Sequence, residues 1–187
     1  MTSSDIIRWG GIAAMLSGML WVVWSNLFRV SFEAAGGPFS HGLLLLAALL
    51  TLAGLAGLHA LQRGNYGRIG TAGFYTATVG LLAQALAALL LLMGNEVLEN
   101  FAQWLVAPVG SLTVLVGLVL YGAATLQARV LPPWYGLGLI VVPPIAFYLN
   151  SKVLYGSIAL FGVLWVALGC VLWSWRGTAA KQPSRVS

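Results

Sequence analysis

The stretch GLHALQRGNYGRIG, from Gly57 to Gly70, decides how this chain folds. It carries one histidine and two of the nine Lys and Arg residues, in a chain that is only 7% charged. The two cations, Arg63 and Arg68, flank turn-forming residues that separate two long apolar runs. Because cations at the ends of apolar segments lie at membrane surfaces, the stretch predicts a helical hairpin whose turn sits at the edge of a bilayer.

The composition of the chain indicates an integral membrane protein. Of its 187 residues, 60% are hydrophobic and 7% are charged, and its mean hydropathy is +0.93. About a quarter of the residues of an average soluble protein are charged. The net charge of +5 comes from cations dispersed at segment ends, which argues against a nucleic-acid partner. We expect one membrane domain, residues 1–187, with a short basic tail at 177–187 and the lipid bilayer as its partner.

Six apolar stretches are long enough to cross a bilayer, which requires about 20 residues at 1.5 Å each. Short turn-forming breaks such as RGNYGR and GNEVLEN separate them. The predicted fold is therefore an all-α integral membrane protein with six transmembrane helices, arranged as three antiparallel hairpins. The six stretches are Ile6–Phe28, His41–Leu61, Ile69–Met93, Phe101–Leu126, Trp134–Leu149 and Tyr155–Trp175.

Lys and Arg residues are unevenly divided between the two predicted membrane faces. Cytoplasmic loops carry the excess of these residues. One face holds only Arg29 and Lys152. The face with both termini and the second and fourth loops holds the other seven: Arg8, Arg63, Arg68, Arg129, Arg176, Lys181 and Arg185. This bias predicts that both termini are cytoplasmic.

The ends of the predicted helices contain similar short phrases. RWGGIA, RIGTAG and PWYGLG begin the outward-running helices, and GLHALQR, GAATLQAR and GCVLWSWR end the returning ones. One explanation is a threefold internal repeat of a hairpin about an axis along the membrane normal. The other is convergence, because helix ends in lipid commonly accumulate arginine, aromatic and small residues.

The predicted spans contain a layer of mild polar residues and no charge near their middle, which argues against a proton pump. Gln84 lies nine residues before Met93 and Ser111 ten after Phe101, so both should lie about 14 Å below the outer boundary. We expect the Gln84 amide to bond Ser111 or Thr113 on the neighbouring helix.

Two prolines lie at a comparable depth in the fifth stretch. Pro143 and Pro144 donate no N–H to the carbonyls of Leu139 and Ile140 and should break or kink the helix. Together with Gln84, Ser111 and Thr113 they form a candidate midplane site for a solute. The alternative, which we favour, is that these polar groups only bridge neighbouring helices.

A second candidate site lies on the predicted outer face. Glu96 and Glu99 are three residues apart, and Glu33 and His41 belong to the neighbouring outer loop. Carboxylates and imidazole can bind a cation, but this spacing matches no metal motif. Solvated loop charge is the favoured interpretation, and no metal is predicted.

No pattern in the sequence calls for a cofactor. His41 and His59 fall on opposite faces, so they cannot ligate one haem. Lys152 and Lys181 lie in a loop and in the tail, where neither can form a buried Schiff base. Cys170 is the single cysteine, which excludes an intrachain disulfide.

The fragments LAGLAGLHALQR, GRIGTAGF, LPPWYGLGLI and FGVLWVALGCVLWS resemble small multi-pass membrane proteins of bacteria that have no assigned activity. Such proteins have similar boundary phrases around glycine-rich helices. The resemblance covers most of the chain and implies a bacterial cytoplasmic membrane. It implies no catalytic or binding residue.

These features lead to two non-enzymatic hypotheses of function; a third, an enzyme acting on lipid, has least support because no pair of nucleophile and base is visible. The first is a structural or accessory subunit of a larger membrane complex, or a homo-oligomer, held together by glycine-mediated packing. The alternative is a facilitator or carrier for a small neutral or lipophilic solute, with the polar layer and the fifth helix as its path.

The charge bias yields a test of topology. We expect Gly64 and both termini to be cytoplasmic, and Gly37 and Asn95 to be outside. Single cysteines at 64 and 95, with Cys170 replaced by serine, can be labelled in intact cells with an impermeant thiol reagent. Position 95 should react at once and position 64 only after the membrane is opened; the reverse pattern would invert the assignment.

Overall fold

The computed structural model describes residues 3–30, 37–152 and 157–175, which are helical and contain no strand. Each helix overlaps one of the predicted apolar stretches. In these residues the elements, in order, are α1 (Ser3–Val30), α2 (Pro38–Gln62), α3 (Gly67–Leu92), α4 (Glu96–Trp104), a π-helix (Leu105–Ser111), α5 (Leu112–Ala128), α6 (Pro133–Lys152) and α7 (Ile158–Ser174).

Four helical stretches of the described chain are long and apolar enough to cross a membrane. They are Ser4–Asn26, Pro38–Gln62, Gly67–Leu92 and Val97–Ala128, the last of which runs through α4, the π-helix and α5. The last two apolar helices, Pro133–Leu149 and Ile158–Ser174, are shorter. The described part of the chain is thus all-helical and contains four helices of membrane-spanning length.

The long helices form a closed circle of contacts in chain order. α1 packs against α2, α2 against α3, α3 against α5, α5 against α6, α6 against α7, and α7 returns to α1. The largest fully buried apolar side chains lie inside this circle and include Leu55, Leu81, Leu118 and Trp165. Large apolar side chains also cover the outside of the helices, as expected of a surface that faces lipid.

Glycines bring α1 into direct backbone contact with both of its neighbours. A Cβ atom added to Gly10 would lie 2.5 Å from the Cα of Gly57 on α2. On the opposite side, a Cβ added to Gly11 would lie 2.9 Å from the carbonyl oxygen of Gly169 on α7. Real Cβ atoms cannot approach backbone so closely, so these interfaces require glycine. Small residues at helix contacts are how membrane helices pack without hydrophobic attraction.

The predicted outer loop GNEVLEN is mostly helical, which corrects the sequence interpretation. α4 begins at Glu96, and the Asn95 side chain caps it by accepting the N–H groups of Val97 and Leu98. Only Met93 to Asn95 form the break, with Gly94 at a φ of +65°. The asparagine is a strong N-cap, and it starts the helix earlier than apolar content alone indicates.

Pro143 and Pro144 do not end the fifth predicted helix, and the kink expected at these prolines stays a prediction. α6 runs without interruption from Pro133 to Lys152 and contains both prolines. Each proline removes one intrahelical hydrogen bond, but α6 is packed against α5 on one side and α7 on the other. Packing on both sides keeps the segment helical although two of its hydrogen bonds are missing.

The glycine contacts lead to a prediction about stability. Gly57→Ala would place its Cβ 2.7 Å from the Cα of Gly10, so we expect a loss of about 1–3 kcal/mol. Gly42→Ala on the same helix is the matched control, because no atom lies within 4 Å of an added Cβ. It should be neutral or stabilise by up to about 1 kcal/mol. Equal effects in thermal unfolding in detergent would contradict the proposed role of Gly57.

Candidate functional site: a cavity beside Gln84

A cavity of about 90 Å³ lies among five α-helices and the π-helix, toward the end of the bundle where α3 ends and α7 begins. A cavity of this size can hold several water molecules or a small organic group. Its wall is mostly apolar. The lining residues are Trp21 of α1, Leu81 and Gln84 of α3, Ser111 of the π-helix, Val114 and Leu115 of α5, Pro143, Ala146 and Phe147 of α6, and Ile158 and Phe161 of α7.

Gln84 is the main polar group of this wall and has only half of its amide bonded. Its side chain is 8% exposed, and its Nε2 donates a long hydrogen bond of 3.4 Å to the Ser111 hydroxyl. Its Oε1 is buried and has no partner. Gly110 makes room for it, since a Cβ there would lie 2.9 Å from the Gln84 Cγ. A buried acceptor without a partner costs about 1–3 kcal/mol.

The structure brings together three of the five residues predicted to form the polar layer. Gln84, Ser111 and Pro143 line the cavity, whereas Thr113 and Pro144 do not. Each residue turns a helix by about 100°, so Thr113 points away from the direction of Ser111 and Pro144 away from that of Pro143. The pairing of Gln84 with Ser111 was predicted; the directions of Thr113 and Pro144 around their helix axes were not.

A proline that the sequence interpretation passed over explains the position of Ser111. The π-helix from Leu105 to Ser111 contains Pro108, which has no N–H for the helical ladder. The wider π turn inserts extra backbone there and changes which side chains face α3. Pro108 inside an apolar stretch was the available signal for this irregularity.

A cluster of hydrogen-bonded polar side chains between α1 and α2 holds Trp21 in the wall of the cavity. The Trp21 indole donates to the Thr51 hydroxyl at 3.0 Å, and Thr51 donates to the carbonyl of Ala47 at 2.7 Å. Ser17 also hydrogen-bonds the Thr51 hydroxyl. The Trp21 ring meets the edge of Phe161 at a centroid distance of 5.6 Å. Ser17 and Thr51 were visible in the sequence as polar residues; their bond to Trp21 was not.

A further buried polar cluster lies between α2 and α5, near the Arg63 turn. The Thr125 hydroxyl donates to the Gln62 Oε1 at 3.1 Å and lies 2.9 Å from the Tyr121 carbonyl. The Gln62 Nε2 and the Tyr121 hydroxyl are buried and have no partner. Sequence reasoning missed this cluster, although Gln62 stands directly beside the predicted boundary arginine.

The candidate acidic cluster is only partly covered by the structure. Glu33 and the side chain of Glu96 lie outside the described residues. His41, near the start of α2, is close enough to Glu99 on α4 for an electrostatic interaction. Among the described residues, no three His, Cys, Asp or Glu side chains lie close enough together to hold a metal ion.

The cavity can therefore accept a small, largely apolar molecule that offers one hydrogen-bond donor or acceptor to the Gln84 amide. A comparison of the chain with protein families, curated proteins and solved structures finds no match.

The two polar clusters predict opposite effects of removing a hydroxyl. Thr51→Val leaves the Trp21 indole and the Ser17 hydroxyl with fewer partners, so we expect a loss of about 1–2 kcal/mol. Tyr121→Phe removes a buried hydroxyl that has no partner, and it should be neutral or stabilising by up to about 1 kcal/mol. Thermal unfolding of both variants in detergent checks this. A larger loss for Tyr121→Phe would mean that its hydroxyl has a bound partner.

Proposed function

We propose that this chain is a non-enzymatic membrane protein that holds a small, neutral and largely apolar molecule in the cavity beside Gln84. The observation that carries the proposal is the buried Gln84 amide oxygen, which has no partner although it belongs to the wall of a cavity. The terminal torsion of a glutamine is broad, so the amide can turn toward a donor in the cavity.

The lining residues indicate the class of molecule. None of them is Asp, Glu, Lys, Arg or His, so a charged ligand would be buried without a counter-charge. The volume of about 90 Å³ limits the group that fits without rearrangement. A small lipophilic solute with one polar group matches these limits, and the position within the bundle suits a carrier or facilitator.

We further propose that all six long helices cross the membrane as three antiparallel hairpins. The shorter α7 lies along α1, and it contacts Gly11 through Gly169 and Gly18 through Gly162. This packing along a helix of full spanning length supports the proposal that α7 also crosses. About 17 residues is the lower end of the range for a transmembrane helix. The cation bias supports cytoplasmic termini, in a bacterial cytoplasmic membrane.

The threefold duplication is supported by two equivalent contacts. Gly122, at the end of the second hairpin, packs against Gly136, at the start of the third. Gly169, at the end of the third, packs against Gly11, at the start of the first. Gly57 departs from this arrangement, because it contacts Gly10 of its own hairpin. If the similar helix ends arose by convergence instead, Gly57 need not share the contact made by Gly122 and Gly169.

The competing hypothesis is an accessory subunit or homo-oligomer held by glycine contacts. The glycines that pack most closely, such as Gly10, Gly18 and Gly117, already contact helices of the same chain. Gly42, in the second turn of α2, has open space at its Cβ position. Contacts with other subunits would thus have to use larger side chains, so the closely packed glycines give little support for a subunit held by glycine contacts.

Mass spectrometry of the protein purified in mild detergent tests the proposal. We expect a small neutral molecule to co-purify and Gln84→Leu to lose it, with less than about 1 kcal/mol of stability lost. Gln62→Leu is the matched control, because Gln62 is also a buried glutamine with one free amide atom but does not line the cavity.

Two results would overturn the proposal. One is equal retention of the molecule by Gln84→Leu and the unchanged protein. The other is a stoichiometric protein partner with no small molecule bound, which would favour the accessory subunit.

A further inference from the structure

We propose that the groove beside the Arg63 turn binds the phosphate headgroup of an anionic membrane lipid. The groove has a volume of about 650 Å³ and lies between the end of α2 and the start of α3. Its lining is more polar than that of the Gln84 cavity and includes Arg63, Gly67 and Tyr75. The site is independent of the Gln84 cavity and of any solute held there.

Arg63 supplies the charge. It is exposed at the end of α2, and no acidic side chain of the described residues forms an ion pair with it. A guanidinium presents several N–H groups in a planar fork that matches two oxygens of a phosphate. Basic pockets between transmembrane helices at the headgroup level commonly bind anionic lipids.

The backbone of the turn adds further donors at the same place. Gly67 has a φ of +58° and follows Tyr66, whose φ and ψ are −115° and 7°. This order of conformations turns successive N–H groups toward one side of the chain, as in anion-binding turns. No side chain caps α3, so the first N–H groups of this 26-residue helix have no partner within the helix.

The floor of the groove consists of aromatic rings in contact with one another. The Tyr66 hydroxyl hydrogen-bonds the His59 ring, and that ring stacks on Phe74 at a centroid distance of 3.9 Å. The pKa of the Tyr66 phenol is raised, because the effect of burial exceeds the opposing effect of the nearby Arg63 charge. The floor therefore adds no negative charge that would repel a phosphate.

The shape of the surrounding surface favours a lipid over a free anion. Tyr75 is 62% exposed and lies two helical turns below Gly67, and Val79 and Leu82 are exposed further along α3. An acyl chain can lie along this apolar surface while the headgroup stays beside Arg63. Inorganic phosphate would bind Arg63, but it would gain nothing from the apolar surface of α3.

Lipid retention in detergent tests the assignment with phosphatidylglycerol, phosphatidylcholine and inorganic phosphate as probes. Native mass spectrometry of the full chain should find phosphatidylglycerol retained above phosphatidylcholine. Arg63→Gln should lower its affinity about tenfold, because a charge-assisted contact is removed. Arg68→Gln is the matched control: it removes the same charge from the same turn, and Arg68 does not line the groove. It should change the affinity less than about twofold.

Three outcomes would overturn the inference. Equal losses in Arg63→Gln and Arg68→Gln would indicate general attraction by charge. Equal retention of the two lipids would remove the preference for an anionic headgroup. Displacement of the lipid by millimolar inorganic phosphate would identify a site for a soluble anion. Loss of solute binding by Gln84→Leu would leave all three readouts unchanged, so the two sites can fail separately.

Discussion

Close contact between helix backbones is the constraint on which the rest of this fold depends. Lipid tails are as apolar as the side chains of these helices, so burying leucine between helices brings little gain. Attraction must come from dense packing, which requires glycine where two backbones meet. α1 meets α2 at Gly10 and α7 at Gly11 and Gly18, and these contacts close the circle of helices.

Tight packing also encloses polar side chains, and their degree of satisfaction differs along the bundle. The Thr51 hydroxyl is hydrogen-bonded to the Trp21 indole, the Ser17 hydroxyl and the Ala47 carbonyl. The amides of Gln62 and Gln84 each keep one atom without a partner. Hydrocarbon provides no substitute partner, so an unbonded amide atom is far more informative here than in a soluble protein. Of the two glutamines, Gln84 lines the cavity and Gln62 does not, and this position separates a candidate binding wall from a structural bridge.

The sequence predicts positions along the membrane normal better than positions around each helix. Counting residues at 1.5 Å each brought Gln84 and Ser111 to the same depth, and the two side chains are in contact. The same counting included Thr113, which does not reach the cavity. The contacts of Trp21 with Thr51 and of Thr125 with Gln62 also depend on helix rotation, and no short pattern encodes rotation when nearly every residue is apolar.

Local irregularity explains why rotation could not be calculated from regular geometry. A π turn holds more residues than an α turn, so the side chains after it are rotated relative to an uninterrupted helix by up to about 100°. The π-helix that ends at Ser111 therefore decides which residue of the fourth stretch faces Gln84. Across the cavity, Pro143 leaves the carbonyl of Leu139 without its N–H partner. The cavity thus lies where two adjacent helices both depart from regular hydrogen bonding, which is where dense packing of side chains is hardest to achieve.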